Sequence, residues 1–413
     1  MTSLEVKYNG CIVGSLFQDE SGRMSFQYDG QWLKEGFAIS ISLPLQNEIF
    51  SEQKCRPFFE GLLPEGAIRD EIARNLGVSS KSDFALLREI GGDCAGAISV
   101  GGSKEASSNG YKELLKGERL IESLRPLNGR PLFAGEKDIR LSIAGSQRKL
   151  PVVYENGEFF IPHGNIPTTF IIKPEIAGIE SSVDNELYCM ALANKIGLSV
   201  SAFEVLQLKS ENESYKKYLV IERYDRRREN DKIIRLHQED LCQATGVPSE
   251  NKYQKDGGPS FSDLFTIIRN YSSQPALDVK NAIRIAIFNY IIGNADAHGK
   301  NFSFLFERNS VRFAPFYDLL STEIYPNLST KMAMKIGGKY RPEDVFRRHW
   351  HEFAKENMVN PKLMDKEIEY ISNMVLRWYE PIAQELFGNQ SQPKIIDGIL
   401  EKIRRKLKLL LPL

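Results

Sequence analysis

Three side chains late in the sequence have the types and spacing that phosphoryl transfer demands. In IIGNADAHGKNFSFLFERNSVRFAPFYDLL (residues 291–320), Asp296 is followed five residues later by Asn301 and further on by Asp318. A carboxylate such as Asp296 can accept or orient the proton of an acceptor hydroxyl. The amide oxygen of Asn301 and the carboxylate of Asp318 can hold Mg2+ against phosphates, since magnesium takes few protein ligands and completes its shell with phosphate and water. A lone D-x-x-x-x-N is common by chance; here the surroundings give it meaning. An apolar helical pattern over 279–292 stops at Gly293, and strand patterns at 302–306 and 311–314 form a hairpin that leads to Asp318. In the same loop His298 reads equally as a structural histidine bonding the backbone and as a catalytic group, and Lys300 is a candidate phosphate contact.

Upstream, PTTFIIKPE ends an apolar strand at Lys173, where an ammonium can reach ATP phosphates as a point charge. Glu186 lies thirteen residues on, in the helical pattern SVDNELYCMALANKIG. A strand lysine paired with a helix glutamate is how protein kinases orient the phosphates, and their catalytic loop carries Asp and Asn at this spacing. YLVIERYDR (218–226) runs from an apolar strand into a charged segment, which suits a hinge meeting adenine through the backbone of Glu222, Arg223 and Tyr224. Between strand patterns at 138–143 and 152–154 lies SIAGSQRKLP, a candidate phosphate-covering loop with a single glycine. Backbone amides around Ala144, Gly145, Ser146 and Gln147 can form an anion-binding concavity, with Lys149 beside it.

The elements that must position these groups fall into three modules. Residues 1–105 begin as a β-meander, with strands at 4–8 and 12–17 around Asn9-Gly10 and a third at 24–28. Helical patterns follow at 57–63, 68–76 and 83–90, and GGSKEASSNG (101–110) reads as a linker. Residues 118–227 are the β-rich ATP-binding lobe, with further strands at 158–161, 169–172, 202–208 and 218–222 and a helix at 184–196. Residues 228–413 are the helical catalytic lobe, with helices at 261–269, 279–292, 341–356, 365–387 and 395–409. The expected class is α+β: a bilobal protein-kinase-like fold, its β-rich N-terminal lobe carrying an extra N-terminal subdomain and its C-terminal lobe mainly α-helical.

Bulk properties set the setting. Lysine plus arginine equals aspartate plus glutamate at 54 each, so no global field draws the chain onto nucleic acid. Basic runs at 226–228 and 402–408 read as local, the second as the solvated face of a final amphipathic helix. The five cysteines are scattered without a C-x-x-C pair, which argues against a zinc site or a disulfide framework and fits a reducing compartment. The N-terminus lacks a signal-peptide profile, and 283–292 is too short and polar to span a bilayer; a soluble, cytoplasmic protein with no membrane partner is expected.

At this point the sequence resembles a known family. RLSIAGSQRK, IPTTFIIKP, SVDNELYC, IERYDRR, RLHQEDLCQATG, KYQKDGGPSF, GNADAHGKNFSF and FAPFYDLL occur in the order seen in the HipA family, and FFEGLLPEG and DFALLREIGGDCAGAI look like that family's N-terminal subdomain. The resemblance spans nearly the entire chain. It implies a serine/threonine kinase, the toxin half of a type II toxin–antitoxin module, which halts growth by phosphorylating an aminoacyl-tRNA synthetase and leads to persistence. It implies a partner, a HipB-like dimeric helix-turn-helix antitoxin, through which the toxin reaches operator DNA. Carried over by position, Asp296 is the catalytic base, Asn301 and Asp318 hold Mg2+, and Lys173 contacts the phosphates of ATP. Ser142 matches the autophosphorylated serine whose modification expels the loop. The family loop commonly reads A-G-A-Q-E-K, whereas here it is Ala144-Gly145-Ser146-Gln147-Arg148-Lys149; Ser146 is therefore a second candidate hydroxyl, and Arg148 stands in place of an acid. Other readings of the same residues are a lipid or small-molecule kinase and a non-catalytic partner of a DNA-binding repressor.

Overall fold

The computed structural model describes the chain except residues 1, 102–109, 125–130, 210–214, 231, 308–309, 389–391 and 412–413. Most of the expected linker at 101–110 lies outside the described residues. Contacts divide the chain into two units. One comprises Met1–Ala177, Ala202–Ser249 and Leu305–Glu307; the other comprises Gly178–Ser201, Glu250–Phe304 and Arg308–Leu413. The segments expected as the first and second modules thus lie largely in one unit.

Two sheets make up most of that first unit. Asn9 and Gly10 have positive φ, 46° and 89°, as a two-residue type I′ turn requires, so Tyr8 lies opposite Cys11 in the hairpin Thr2–Tyr8/Cys11–Gln18. Met24–Tyr28 pairs with the second of these strands, and Ile98–Val100 joins the free side of the first. The other sheet has six strands, in the order Lys112–Leu115, Glu158–Pro162, Leu150–Glu155, Phe170–Lys173, Lys216–Glu222 and Phe203–Leu208, each neighbouring pair antiparallel. Phe26, Phe58, Phe59 and Leu63 share one apolar cluster with Val152, Ile161, Ile172 and Val220. Burial of this kind is worth about 1.5–3 kcal/mol per large side chain.

Residues 138–143, expected as a strand, are not one. Ile139, Leu141 and Ile143 alternate with polar residues in the sequence, which mimics a strand pattern, but Asp138 has φ 60°. The segment makes a single bridge, with Asp93 N–H donating to Arg140 O at 2.9 Å and Ser142 N–H donating to Asp93 O at 3.1 Å. The helix expected at 57–63 runs Glu52–Glu60, and that expected at 341–356 is a short turn, Pro342–Asp344, followed by Arg347–Glu356. Far-separated residues also close this unit. Ser40 Oγ and Ile41 N–H donate to the Glu239 carboxylate at 2.5 and 2.9 Å, and His237 Nε2 donates to Ile39 O at 2.6 Å.

The second unit is helical: Ser182–Lys195, Phe261–Tyr271, Pro275–Ile292, Arg347–Glu356, Pro361–Phe387 and Lys394–Leu410. Ser182–Lys195, expected in the β-rich lobe, belongs here: Tyr188 Oη donates to Tyr379 O at 2.7 Å and Asn185 Nδ2 to Ser321 O at 2.9 Å. The basic run on the final helix is not wholly a solvated face. Arg404, Arg405 and Lys408 are exposed, but Lys406 is buried against Glu323 at 3.3 Å and over the Tyr290 ring, and Lys402 also reaches Glu323, at 3.5 Å. Burial lowers the Lys406 pKa to about 8 against the pull of Glu323.

Candidate active site

The second unit assembles the loop that carries Asp296. Helix Pro275–Ile292 starts with proline at its first turn and ends at Gly293, φ 72°, whose N–H caps Asn289 O, the left-handed stop that glycine takes without a Cβ clash. The strands Ser303–Glu307 and Ser310–Phe313 follow the loop as neighbours in one sheet. Buried Asp278 fixes the return strand to the helix: it accepts from Arg312 Nε and Nη2 at 3.0 and 2.9 Å and from Phe313 N–H at 3.0 Å. The loop is then stitched to the segment after the hairpin. Ala295 N–H donates to Thr322 Oγ1 at 2.8 Å, Tyr317 Oη to Lys300 O at 2.6 Å, and Asn294 Nδ2 to Asp318 O at 3.3 Å.

Within this frame the expected residues meet. Asn301 Nδ2 lies 3.2 Å from Asp318 Oδ2, and Asn301 Oδ1 accepts from His298 N–H at 3.2 Å. Asp318 has φ 53°, a left-handed backbone that costs an ordinary side chain energy and so concentrates at functional positions. Asp296 is exposed, while its neighbours Asn294, Ala295, Ala297, His298 and Lys300 are buried. Tyr253 Oη donates to Asp296 Oδ1 at 2.7 Å; this tyrosine sits in KYQKDGGPSF, and nothing in its spacing marked it as a site residue. His298 packs its ring edge-on against Tyr253, centroids 5.2 Å apart.

This donor set fits a hard divalent cation. A carbonyl oxygen accepting one hydrogen bond keeps a second lone pair, so Asn301 Oδ1 and the Asp318 carboxylate can each give an oxygen to Mg2+. Among the described residues no group of three or more His, Cys, Asp or Glu side chains is arranged to hold a metal; a magnesium site shared with phosphates needs only these two.

In the first unit, Lys173 closes strand Phe170–Lys173, lies opposite Leu219 and is buried. Glu186, buried on Ser182–Lys195, belongs to the second unit. At the expected hinge, Glu222 N–H donates to Ala202 O and Arg223 N–H to Thr169 O, so those two amides are engaged within the fold. The Arg223 side chain turns inward: it bonds Asp225 at 2.9 and 2.8 Å and Thr168 Oγ1 at 2.8 Å. Tyr224 Oη donates to Gln238 Oε1 at 2.7 Å.

The loop expected to cover the phosphates is held by the N-terminal segment. Ser142 is fully buried, its hydroxyl donating to Leu62 O at 2.7 Å, whereas Ser146 is exposed. Glu65 N–H donates to Gly145 O at 3.1 Å. Gly145 has φ 108°, and a Cβ there would stand 3.0 Å from Lys149 Nζ, so only glycine suits this turn. Ala144, Gln147 and Lys149 are partly exposed along it. Arg148, in place of the family's acid, pairs with Glu71 at 2.7 Å.

An antiparallel sheet ending in a buried strand lysine, and a helical unit with the Asp, Asn and post-hairpin Asp set, define a protein-kinase-like α+β fold. Residues 4–101 match the HipA N-terminal domain and residues 141–378 the HipA-like C-terminal domain; the chain belongs to the HipA family. It is 30% identical over 358 residues to the serine/threonine-protein kinase toxin HipA of Shewanella oneidensis, covering 83% of this chain and 81% of that one. It is 43% identical over 392 residues to Y4mE of Sinorhizobium fredii, which carries a provisional kinase name, covering 93% and 91%. The solved complex of Shewanella oneidensis MR-1 HipA, HipB and operator DNA contains a chain that matches with a TM-score of 0.83 at 27% identity, over 98% of this chain and 96% of that one. Among the described residues no helix is long and apolar enough to cross a membrane.

Proposed function

We propose that this chain is a cytoplasmic, Mg2+- and ATP-dependent serine/threonine protein kinase, the growth-arresting toxin of a toxin–antitoxin pair. Its acceptor is a protein, an aminoacyl-tRNA synthetase, and its antitoxin is a HipB-like helix-turn-helix protein through which it reaches operator DNA. The observation that carries this reading is the exposed Asp296 carboxylate on a loop whose Asn301 meets Asp318 at 3.2 Å. Mg2+-ATP supplies the phosphoryl group and the charge that neutralises it. Asp296 orients and deprotonates the acceptor hydroxyl, Asn301 and Asp318 give oxygens to the metal, and Lys173, Lys149 and Lys300 balance phosphate charge. The 144–147 backbone covers the phosphates, and the Glu222–Tyr224 backbone meets the adenine. The test is transfer of labelled phosphate from ATP with Mg2+, followed by mapping of the labelled residue.

Asp318→Ala is expected to weaken ATP binding on the order of tenfold, about 1.4 kcal/mol, in Mg2+ but not in its absence. Calorimetric titrations in the two conditions check this, and equal affinities in Mg2+ would remove the metal-ligand role.

Autophosphorylation of Ser142 silences the enzyme in this reading. A phosphate brings about −1.5 to −2 charges and only acceptor oxygens, so it has no place against the Leu62 carbonyl that now receives the Ser142 hydroxyl. The modified serine must leave its seat and take the covering loop with it. Peptide mapping is expected to find label lost in Ser142→Ala and kept in Ser146→Ala; the reverse pattern transfers the switch to the exposed Ser146.

A further inference from the structure

We infer that Tyr253 is a positioning residue for the transfer step, holding the Asp296 carboxylate with one oxygen tied and the other turned to the acceptor hydroxyl. The inference rests on the reading of Asp296 as the base. Among the described residues, Tyr253 is the one side chain hydrogen-bonded to the Asp296 carboxylate, at 2.7 Å on Oδ1. An exposed aspartate on a loop samples several rotamers, and a single charge-assisted bond selects one of them.

The tyrosine itself is placed by a rigid frame. Gly299 N–H donates to Lys252 O at 3.1 Å, Gln254 N–H to Ala333 O at 3.1 Å, and Ala333 N–H to Ala295 O at 2.8 Å. The residues flanking Tyr253 are thereby tied to both ends of the loop that carries Asp296, Lys252 directly and Gln254 through Ala333. Gly258 N–H donates to Tyr253 O at 3.0 Å, and a Cβ at Gly258 would fall 2.0 Å from Asn251 O, so the turn after the tyrosine closes only with glycine. On the other side His298 sets the ring plane, and its own N–H is bonded to Asn301. One chain of contacts therefore runs from the metal-ligand candidate Asn301 through His298 and Tyr253 to Asp296. It fixes the distance between the place where phosphate is held and the place where the proton leaves, the kind of alignment that intramolecular reactivity depends on.

The experiment is a double-mutant cycle in single-turnover transfer, with Tyr253→Phe, Asp296→Asn and the pair, each checked for folding by thermal melting. Tyr253→Phe keeps the ring and its contact with His298 and removes only the hydroxyl. Its transfer rate is expected to fall about tenfold with the KM for ATP unchanged, since a bond to a charged group of this strength is worth about that factor. In the Asp296→Asn background the same change is expected to cost nothing further. Wild-type turnover in Tyr253→Phe, or a loss that persists in full beside Asp296→Asn, overturns the inference. If Asp296→Asn itself transfers at the wild-type rate, the reading of Asp296 as the base has failed and the role of Tyr253 falls with it.

Discussion

Asp296→Asn is expected to yield a folded protein that binds Mg2+-ATP normally and transfers phosphate roughly 10²–10⁴-fold more slowly. The size follows from what the substitution removes. The amide keeps the carboxylate's shape but cannot take a proton, so the acceptor hydroxyl must shed its proton to water. Little else changes: the residue is exposed, and its side chain bonds only Tyr253 among the described residues. Fold and nucleotide affinity therefore serve as internal controls. A wild-type rate would remove the base role. A folded, ATP-binding wild type that labels neither itself nor a synthetase would point to a small-molecule acceptor or a binding role.

The second large effect is on stability. Asp93→Asn is expected to cost about 3–5 kcal/mol, the range found when one partner of a buried ion pair is removed. Asp93 is buried with Arg226 at 2.8 Å and Arg235 at 3.1 Å on one oxygen, while Thr168 gives the other its N–H and Oγ1 at 3.0 and 2.6 Å. Arg223 approaches at 3.5 Å. Burial alone would raise the Asp93 pKa, but the three guanidiniums overcome it and hold the carboxyl well below the usual range. The neutral amide would leave Arg223 and Arg226 with Asp225 as their remaining buried acid. Against a total stability of about 5–15 kcal/mol for a typical domain, such a loss is severe. Urea denaturation measures it, as a lower midpoint at unchanged slope. The sign with pH also follows: a depressed carboxyl stabilises above its unfolded pKa near ~3.9 and loses this as pH falls through the folded value. The variant should accordingly lose part of the wild type's acid sensitivity; an unfolding free energy within about 0.5 kcal/mol of wild type would count the network as dispensable.

Much of this was legible in the sequence, for reasons particular to each element. Asn9-Gly10 specifies its own turn, and Gly293 its own helix stop, because backbone conformation there depends on one or two residues. The meeting of Asn301 with Asp318 was readable because a helix, a loop and a hairpin fix their relation within thirty residues. What escaped was set by long-range partners. Tyr253 meets Asp296 across 43 positions, and no local spacing records that. The run Arg226–Arg228 looks like a surface cluster, yet Arg226 is buried because Asp93 lies 133 positions away. Residues 138–143 alternate like a strand, but their one bridge is to Asp93. Helix Ser182–Lys195, buried along most of its length, gave no sign of which side of the chain would cover it.

The clamp on residues 39–41 has a bearing on how the chain is made. Ser40 and Ile41 wait for Glu239, nearly two hundred positions downstream, and Asp93 waits for Arg223, Arg226 and Arg235. Closing a loop of that length costs about 5 kcal/mol of chain entropy, and such distant pairings slow folding. A nascent chain on the ribosome can form its first hairpin early. The buried acids and arginines that lock the first unit come together only after residue 239 has emerged.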